Sequence, residues 1–322
     1  GVNLPAHLVI VKGTRVWRGG ERGYQDIDNG ALLQMIGRAG RPGLDTSGVA
    51  VIMTDNRSKS LIEHQIQGLG SAESRLLQNL VDVINTEISQ RVVTHMNGAL
   101  RWLHTTFLFT RLLKDPTKYA MSSSWKSVEE YMKHILERAI HNLVDADFVK
   151  LEEGDAICPR PASHIMSQGM VPFEAMQSIA SLPHDATMCQ ILKALSKIDL
   201  LGTCVRRNEK KFLNECYKSE VVLYKFDGPA SKVRIQDPWE KAFVLLQAYI
   251  GQYQFKDLSL SQQMVAIASN AQRMLLAAQD YSVKASRHGF VALQCLRLRR
   301  SLHFNMWKEE SGVLNQIDGV GQ

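Results

Sequence analysis

Two arginines stand three residues apart in Gln34-Met35-Ile36-Gly37-Arg38-Ala39-Gly40-Arg41-Pro42, each preceded by a glycine. A glutamine lies four residues before the first of them. Guanidinium is planar, permanently charged and able to bind two oxygens at once, which makes it the side chain best matched to a transferring phosphoryl group. In nucleotide hydrolysis such an arginine stabilises the charge that develops on the γ-phosphate. Glycine lets the backbone approach a ligand without a Cβ in the way. The stretch therefore reads as a phosphate-contacting site, with Arg38 and Arg41 as the catalytic cations. A Gly-x4-Gly-Lys-Ser/Thr phosphate loop occurs nowhere in the sequence, so these residues make at most half of a nucleotide site.

The elements around the arginines must position them. Residues 7–12 form a short apolar run between Pro5 and Gly13, and residues 49–54 form another. Both read as buried, parallel strands. Residues 31–37 read as a helical turn leading into the arginines. Residues 14–28 carry Gly19-Gly20 between two β-prone segments, a hairpin signal with Trp17 and Tyr24 on its arms. Residues 59–67 read as a helix ended by Gly68 and Gly70. Strand, helix, strand, helix on this scale is part of an α/β domain, too short to be a whole one.

From residue 71 the pattern turns helical. Ser71 is a candidate N-cap with Glu73 in the first turn. Leu76, Leu77, Leu80, Val81, Ile84 and Ile88 follow at helical spacing. Residues 97–113 read as one further helix, broken by Asp115-Pro116. A helix at 128–145 precedes a strand, a charged turn and a second strand over residues 148–159. Helices followed by such a wing suggest a winged-helix module. Beyond residue 171 the 3.6-residue period recurs over 188–200, 241–252, 261–278 and 291–306. Asp257 or Ser259 can cap the third of these, with Val265, Ala268, Met274, Leu275 and Ala278 turned to a bundle. Gln263, Asn270 and Arg273 face elsewhere, either as a solvated face or as donors along a nucleic-acid channel. Arg297, Arg299 and Arg300, with Arg287 and His288, are a solvated face or phosphate contacts. Residues 314–321 read as the opening of a helix, turn and glycine-rich loop.

The chain has 322 residues, enough for two or three domains, and begins with glycine, which points to a piece that starts inside a domain. No run of eighteen apolar residues is present, so no membrane partner is expected. A net charge of +6 permits nucleic-acid binding without requiring it. The five cysteines are scattered, and no Cys/His cluster has metal-ligand spacing; they read as reduced core thiols with no metal.

Gln34 to Arg41 matches Gln-x-x-Gly-Arg-x-Gly-Arg, motif VI of superfamily 2 helicases, and Gly1-Val2-Asn3-Leu4-Pro5-Ala6 resembles their motif V. The extension Pro42, Asp45 and residues 49–54 resemble the Ski-two-like branch. So do Glu73-Ser74-Arg75-Leu76, Asn85-x-Glu87-Ile88 and Trp102-Leu103-x3-Phe107-Leu108-x2-Arg111, followed by Pro116 and Tyr119. Residues 171–307 look like that branch's Sec-sixty-three-type helical domain. Within the branch, Arg206-Arg207-Asn208-Glu209-Lys210-Lys211-x-Leu213-Asn214 looks most like the meiotic crossover helicases.

The resemblance implies a mainly α chain with a partial α/β start. Residues 1–70 would be the end of a second RecA-like domain, 71–160 a winged helix, 161–310 a helical bundle and 311–322 the start of a helix-hairpin-helix. It implies ATP-driven, 3′-to-5′ unwinding of DNA recombination intermediates in the nucleus, promoting meiotic crossovers, with ATP and Mg2+ as cofactors. The implied partners are a single-stranded DNA tail, a duplex junction and recombination proteins. Carried over by position, Gln34, Gly37, Arg38 and Arg41 contact the ATP phosphates. Gly1, Val2 and Asn3 belong to the loop that couples ATP to the strand. Residues 14–27, with Trp17, take the place of a strand-separating hairpin, and 261–278 that of a ratchet helix presenting Gln263, Asn270 and Arg273. The lysine of motif I and the acids of motif II are absent, so the chain alone is expected to hydrolyse no ATP. An RNA helicase of the same superfamily and a non-enzymatic binding module are the competing expectations.

Overall fold

The computed structural model describes residues 5–17, 24–41, 43–67, 72–122, 124–198, 204–226 and 234–307. The expected contacts at Gly1, Val2 and Asn3, the cap at Ser71 and the opening helix-hairpin-helix at 311–322 lie outside the described residues. Two compact units emerge, Gly1–Glu73 and Ser74–Gln322.

In the first unit the order is β1 (Leu8–Lys12), β2 (Arg15–Trp17), β3 (Tyr24–Asp26), α1 (Asn29–Ile36), β4 (Val49–Met53) and α2 (Lys59–Ile66). β1 and β4 pair in parallel, with Leu8 opposite Val49 and Lys12 opposite Met53. β2 and β3 form the expected hairpin, with Trp17 opposite Tyr24. Side chains alternate across a strand, and among the described residues one face of this sheet is covered. Val9, Val11 and Ile52 meet Leu32 of α1 and Ile62 of α2. On the other face Leu8, Ile10, Val49, Val51 and Met53 are 43–56% exposed. The apolar runs are strands, as expected, but not buried ones. Parallel ladders are normally covered on both faces, whereas α1 and α2 contribute one small core of three buried side chains.

The second unit begins with a single 3-10 turn, Leu76–Asn79, and then α3 (Leu80–Ser89). Glu73 therefore lies outside any helix. The expected helix over 97–113 is two: α4 (Met96–His104) and α5 (Phe107–Lys114). The break is at Thr105-Thr106, whose hydroxyls donate to the carbonyls of Trp102 and Leu103. Such local side-chain bonds compete with helix continuation, and Thr106 adopts an extended N-cap conformation. α6 (Val128–Asp145) spans the expected residues and starts on a Ser127 cap. β5 (Val149–Glu152) and β6 (Ala156–Pro159) make the wing. A bridge from His95 to Ala156 ties it to the start of α4.

α7 (Pro161–Gln168), α8 (Phe173–Ala180), α9 (Met188–Lys197), α10 (Lys210–Lys218), α11 (Pro238–Ile250), α12 (Leu258–Lys284) and α13 (Gly289–Phe304) complete the unit. α11 is buried on every side, from Lys241 through Ala248, as befits a helix at the centre of a bundle. α12 has 27 residues, about 40 Å at 1.5 Å per residue. Its N-cap is Asp257, which accepts from the Leu260 N–H at 3.0 Å. Val265, expected in the bundle, is 54% exposed, because the buried stripe of α12 runs through Leu260, Ile267, Ala271, Met274, Leu275 and Ala278 instead.

α3 joins the wing-bearing part to the bundle. The buried Asn85 amide donates to the Ser163 carbonyl of α7 at 3.1 Å, and Asp82 accepts from the Phe173 N–H at 2.7 Å. One continuous core runs from Leu80 to Trp307.

Candidate nucleotide and nucleic-acid sites

The arginine loop is built from backbone geometry. Leu32, fully buried, fixes α1 on the sheet, which leaves Gln34 and Arg38, one helical turn apart, exposed. After α1 the chain bends at Gly37 and meets the segment that enters β1. Ala6 donates to the Arg38 carbonyl at 3.0 Å, and Gly40 donates to the Ala6 carbonyl at 2.7 Å. The end of the motif V segment is thus bonded directly to motif VI. Gly40 has φ +98°, a conformation that costs a residue with a Cβ. Gly48 matters for a different reason: a Cβ there would stand 2.5 Å from the Ala39 carbonyl carbon and the Gly40 nitrogen.

Arg41 is aimed by Asp45. Its Nε donates to Oδ2 at 2.8 Å and its Nη2 to Oδ1 at 2.9 Å, while its backbone N–H also donates to Oδ2. His7 Nδ1 stands 3.5 Å from the same carboxylate. The Arg41 hydrogen bond holds the Asp45 carboxyl down at about 2, and the carboxylate in turn raises the pKa of Arg41. A guanidinium has five N–H donors, so Arg41 keeps donors for a phosphate after this bidentate bond. Gln34, Gly37, Arg38 and Arg41 lie on one exposed turn and the loop that follows it. Their chemistry, an amide and two guanidinium groups, fits the phosphates of a nucleotide. Among the described residues no group of His, Cys, Asp or Glu is arranged to hold a metal ion.

At the carboxyl ends of β1 and β4, Lys12, Arg15, Tyr24 and Asp55 border an open cleft of ≈ 530 Å³. The hairpin is rooted there by the Thr14–Thr54 hydroxyl bond at 2.8 Å. Tyr24 is 61% exposed on the arm opposite Trp17.

In the second unit the three α12 residues make different contacts. Gln263 turns its amide to Ser259 Oγ at 3.0 Å and to Glu209 Oε1 at 3.4 Å. Arg273 donates to the Met170 carbonyl at 3.0 Å and to Asn270 Oδ1 at 3.3 Å. Of the three, only Arg273 lines the cleft between α12 and α13.

The Glu209 that Gln263 meets is part of a buried ion pair absent from the sequence reading. Lys241 Nζ lies 2.6 Å from Glu209 Oε2, both side chains 1% exposed, and also donates to the Cys204 carbonyl. The Arg206 N–H donates to the same carboxylate oxygen. The only sequence signal is a lone lysine inside the apolar run of α11; Glu209, among Arg206, Arg207, Lys210 and Lys211, looks like a solvated charge. The cysteines are free thiols, and burial pushes Cys216 and Cys295 up to about 12.

A loop carrying the motif VI residues and bonded to the segment before β1, a winged helix and a helical bundle with one long helix agree with the architecture that the resemblance to superfamily 2 helicases implies. Residues 159–315 match the Sec63 Brl domain, and residues 73–153 match the winged helix-turn-helix domain of the SNRNP200 type. The chain is similar over its whole length to the "ATP-dependent DNA helicase homolog MER3" of Arabidopsis thaliana, 29% identical over 29% of that protein. It is likewise similar over its whole length to the "ATP-dependent DNA helicase MER3" of Saccharomyces cerevisiae, 31% identical over 28% of that protein. Over 97% of its length it is 31% identical to the "RQC trigger complex helicase SLH1" of the same yeast, covering 16% of it. The chain is thus similar to Ski-two-like helicases and spans less than a third of each of these relatives.

Proposed function

We infer that this chain is the strand-handling portion of an ATP-dependent DNA helicase that opens recombination intermediates in the nucleus, in the 3′-to-5′ direction, during meiotic crossover formation. The observation that carries the reading is the motif VI loop: Arg38 and Arg41 are presented beside Gln34, and the loop is hydrogen-bonded to the segment that follows Asn3. Guanidinium groups placed on a γ-phosphate stabilise charge that develops there, so catalysis is positioning plus electrostatics. A shift of that loop on hydrolysis passes to the segment before β1 through the Ala6 bonds. The phosphate cradle and the acids for Mg2+ come from residues this chain lacks. The relatives named as ATP-dependent DNA helicases support a DNA substrate, and the meiotic setting follows from the resemblance of residues 206–214 alone.

A second reading is the same motor working on RNA: the trigger-complex helicase, at comparable identity, carries no DNA in its name, so the likeness does not single out DNA. Unwinding of matched DNA and RNA duplexes, each with a 3′ or a 5′ tail, by the complete protein separates the two. DNA with a 3′ tail is expected to open fastest. Preference for RNA, or for a 5′ tail, contradicts the proposal.

A further inference from the structure

The segment that enters β1 reaches the arginine loop twice, through neighbouring residues. Ala6 holds the first arginine by its main chain, donating to the Arg38 carbonyl and accepting from Gly40. His7 reaches the second through its side chain. The His7 carbonyl accepts from the Val49 N–H at 2.9 Å, which pins this residue to the start of β4. Its imidazole Nδ1 stands 3.5 Å from Asp45 Oδ1, the oxygen that also accepts from Arg41 Nη2. The Asp45 side chain is 9% exposed, against 46% for Arg41 and 56% for His7. The turn that carries it is closed, because the N–H groups of Leu44 and Asp45 both donate to the Arg41 carbonyl, at 3.0 and 2.9 Å. A carboxylate covered to that degree needs its partners, and the partners here are Arg41 and His7. The bidentate bond takes Nε and one hydrogen of Nη2, so the Nη1 amino group of Arg41 is left for a phosphate.

We propose that His7 and Asp45 are positioning residues for Arg41: the imidazole steadies the carboxylate, and the carboxylate aims the guanidinium. Both act through Arg41. One segment then sets both arginines, Arg38 through the main chain of Ala6 and Arg41 through the side chains of His7 and Asp45. A cation fixed in its working geometry before the reaction loses little freedom during it, and charge that need not reorient stabilises a transition state best. At 3.5 Å the His7 contact is looser than the Arg41 bonds, so its share of the effect is the smaller one. The proposal rests on the nucleotide reading above and adds to it the two residues that hold the second arginine.

The test is steady-state ATP hydrolysis by the complete protein in the presence of single-stranded DNA. Asp45→Asn is expected to lower kcat about tenfold with KM for ATP within about twofold, because it loosens a contact made in the transition state. His7→Leu is expected to lower kcat about threefold, and His7→Asn, whose amide can donate to the same oxygen, to restore most of that loss. In the Asp45→Asn background His7→Leu should cost nothing further, the mark of two residues acting in series. His64→Leu, an exposed histidine on α2, is the control and should leave kcat unchanged. Thermal melting checks that each variant is folded. A second readout needs no turnover: in carbon-detected NMR of the 322-residue chain, the Asp45 carboxyl midpoint of about 2 should rise in His7→Leu and stay in place in His64→Leu. Turnover that neither His7→Leu nor Asp45→Asn alters overturns the proposal and leaves the nucleotide reading intact. Losses that multiply in the double variant, a loss confined to KM, or an Asp45 midpoint indifferent to His7 also overturn it. A complete protein that hydrolyses no ATP removes both.

Discussion

The two compact units hold their functional groups by opposite means. In the first, the arginines sit on a loop whose shape comes from Gly40 at positive φ, the close approach at Gly48 and the Arg41–Asp45 bond. Beneath that loop is, among the described residues, a core of three buried side chains. In the second unit the cations stand on helices locked into one large core, with a desolvated ion pair inside it. A loop of the first kind can move when a phosphate leaves. A cleft of the second kind keeps its geometry, because both of its walls are helices packed into one core. Backbone geometry therefore sets the chemistry in the first unit, and packing sets it in the second.

The largest effect that tests this contrast is catalytic. In the complete protein, Arg38→Ala is expected to lower ATP turnover about a thousandfold or more, the scale of an arginine finger. Strand affinity should stay within twofold. Loss of binding with turnover preserved would reverse the assignment.

Next is the buried pair. Glu209→Ala leaves the buried Lys241 charge with no carboxylate, only the Cys204 carbonyl, and is expected to cost about 3–5 kcal/mol in urea unfolding of the second unit. Glu209→Leu with Lys241→Met is expected to restore most of that. Equal damage from the single and double variants would deny that the stranded charge is the cause.

Gly48→Ala pushes a Cβ into the Ala39–Gly40 backbone. A displacement of about 1 Å can cost on the order of a hundredfold in rate, so turnover of the complete protein should fall by about that factor. The melting of the second unit should not move, and a shift there would mean that the loop is not a local device.

The smallest effect is on titration. The folded Asp45 carboxyl lies at about 2 against an ordinary 3.8. Its contribution is therefore complete above the ordinary value and is lost as pH falls through about 2. Carbon-detected NMR should find that midpoint, and Arg41→Gln should return it toward the ordinary range. A wild-type midpoint near 3.8 would mean that Asp45 does not hold Arg41.

Much of this was readable in the sequence, for identifiable reasons. Short-range signals transfer well: the pairing of the two strands on either side of residues 18–23, the period of α6 and the Asp257 cap are each decided within a few residues. The split between α4 and α5 was missed because two threonines in an apolar run carry little weight until their hydroxyls reach Trp102 and Leu103. Burial of β1 and β4 was overestimated because an apolar run shows a strand but not how many neighbours cover it. The Glu209–Lys241 pair and the cleft were out of reach. Their members lie roughly thirty residues apart or on separate helices, so only the fold brings them together.

The most direct test of the division between the units is made on this chain by itself. The purified 322 residues are incubated with ATP, Mg2+ and single-stranded DNA, and phosphate release is measured alongside strand binding. The account predicts binding with hydrolysis at background, because the arginines face no phosphate loop of their own. Strand-stimulated hydrolysis by this chain, surviving Arg38→Ala, would contradict it.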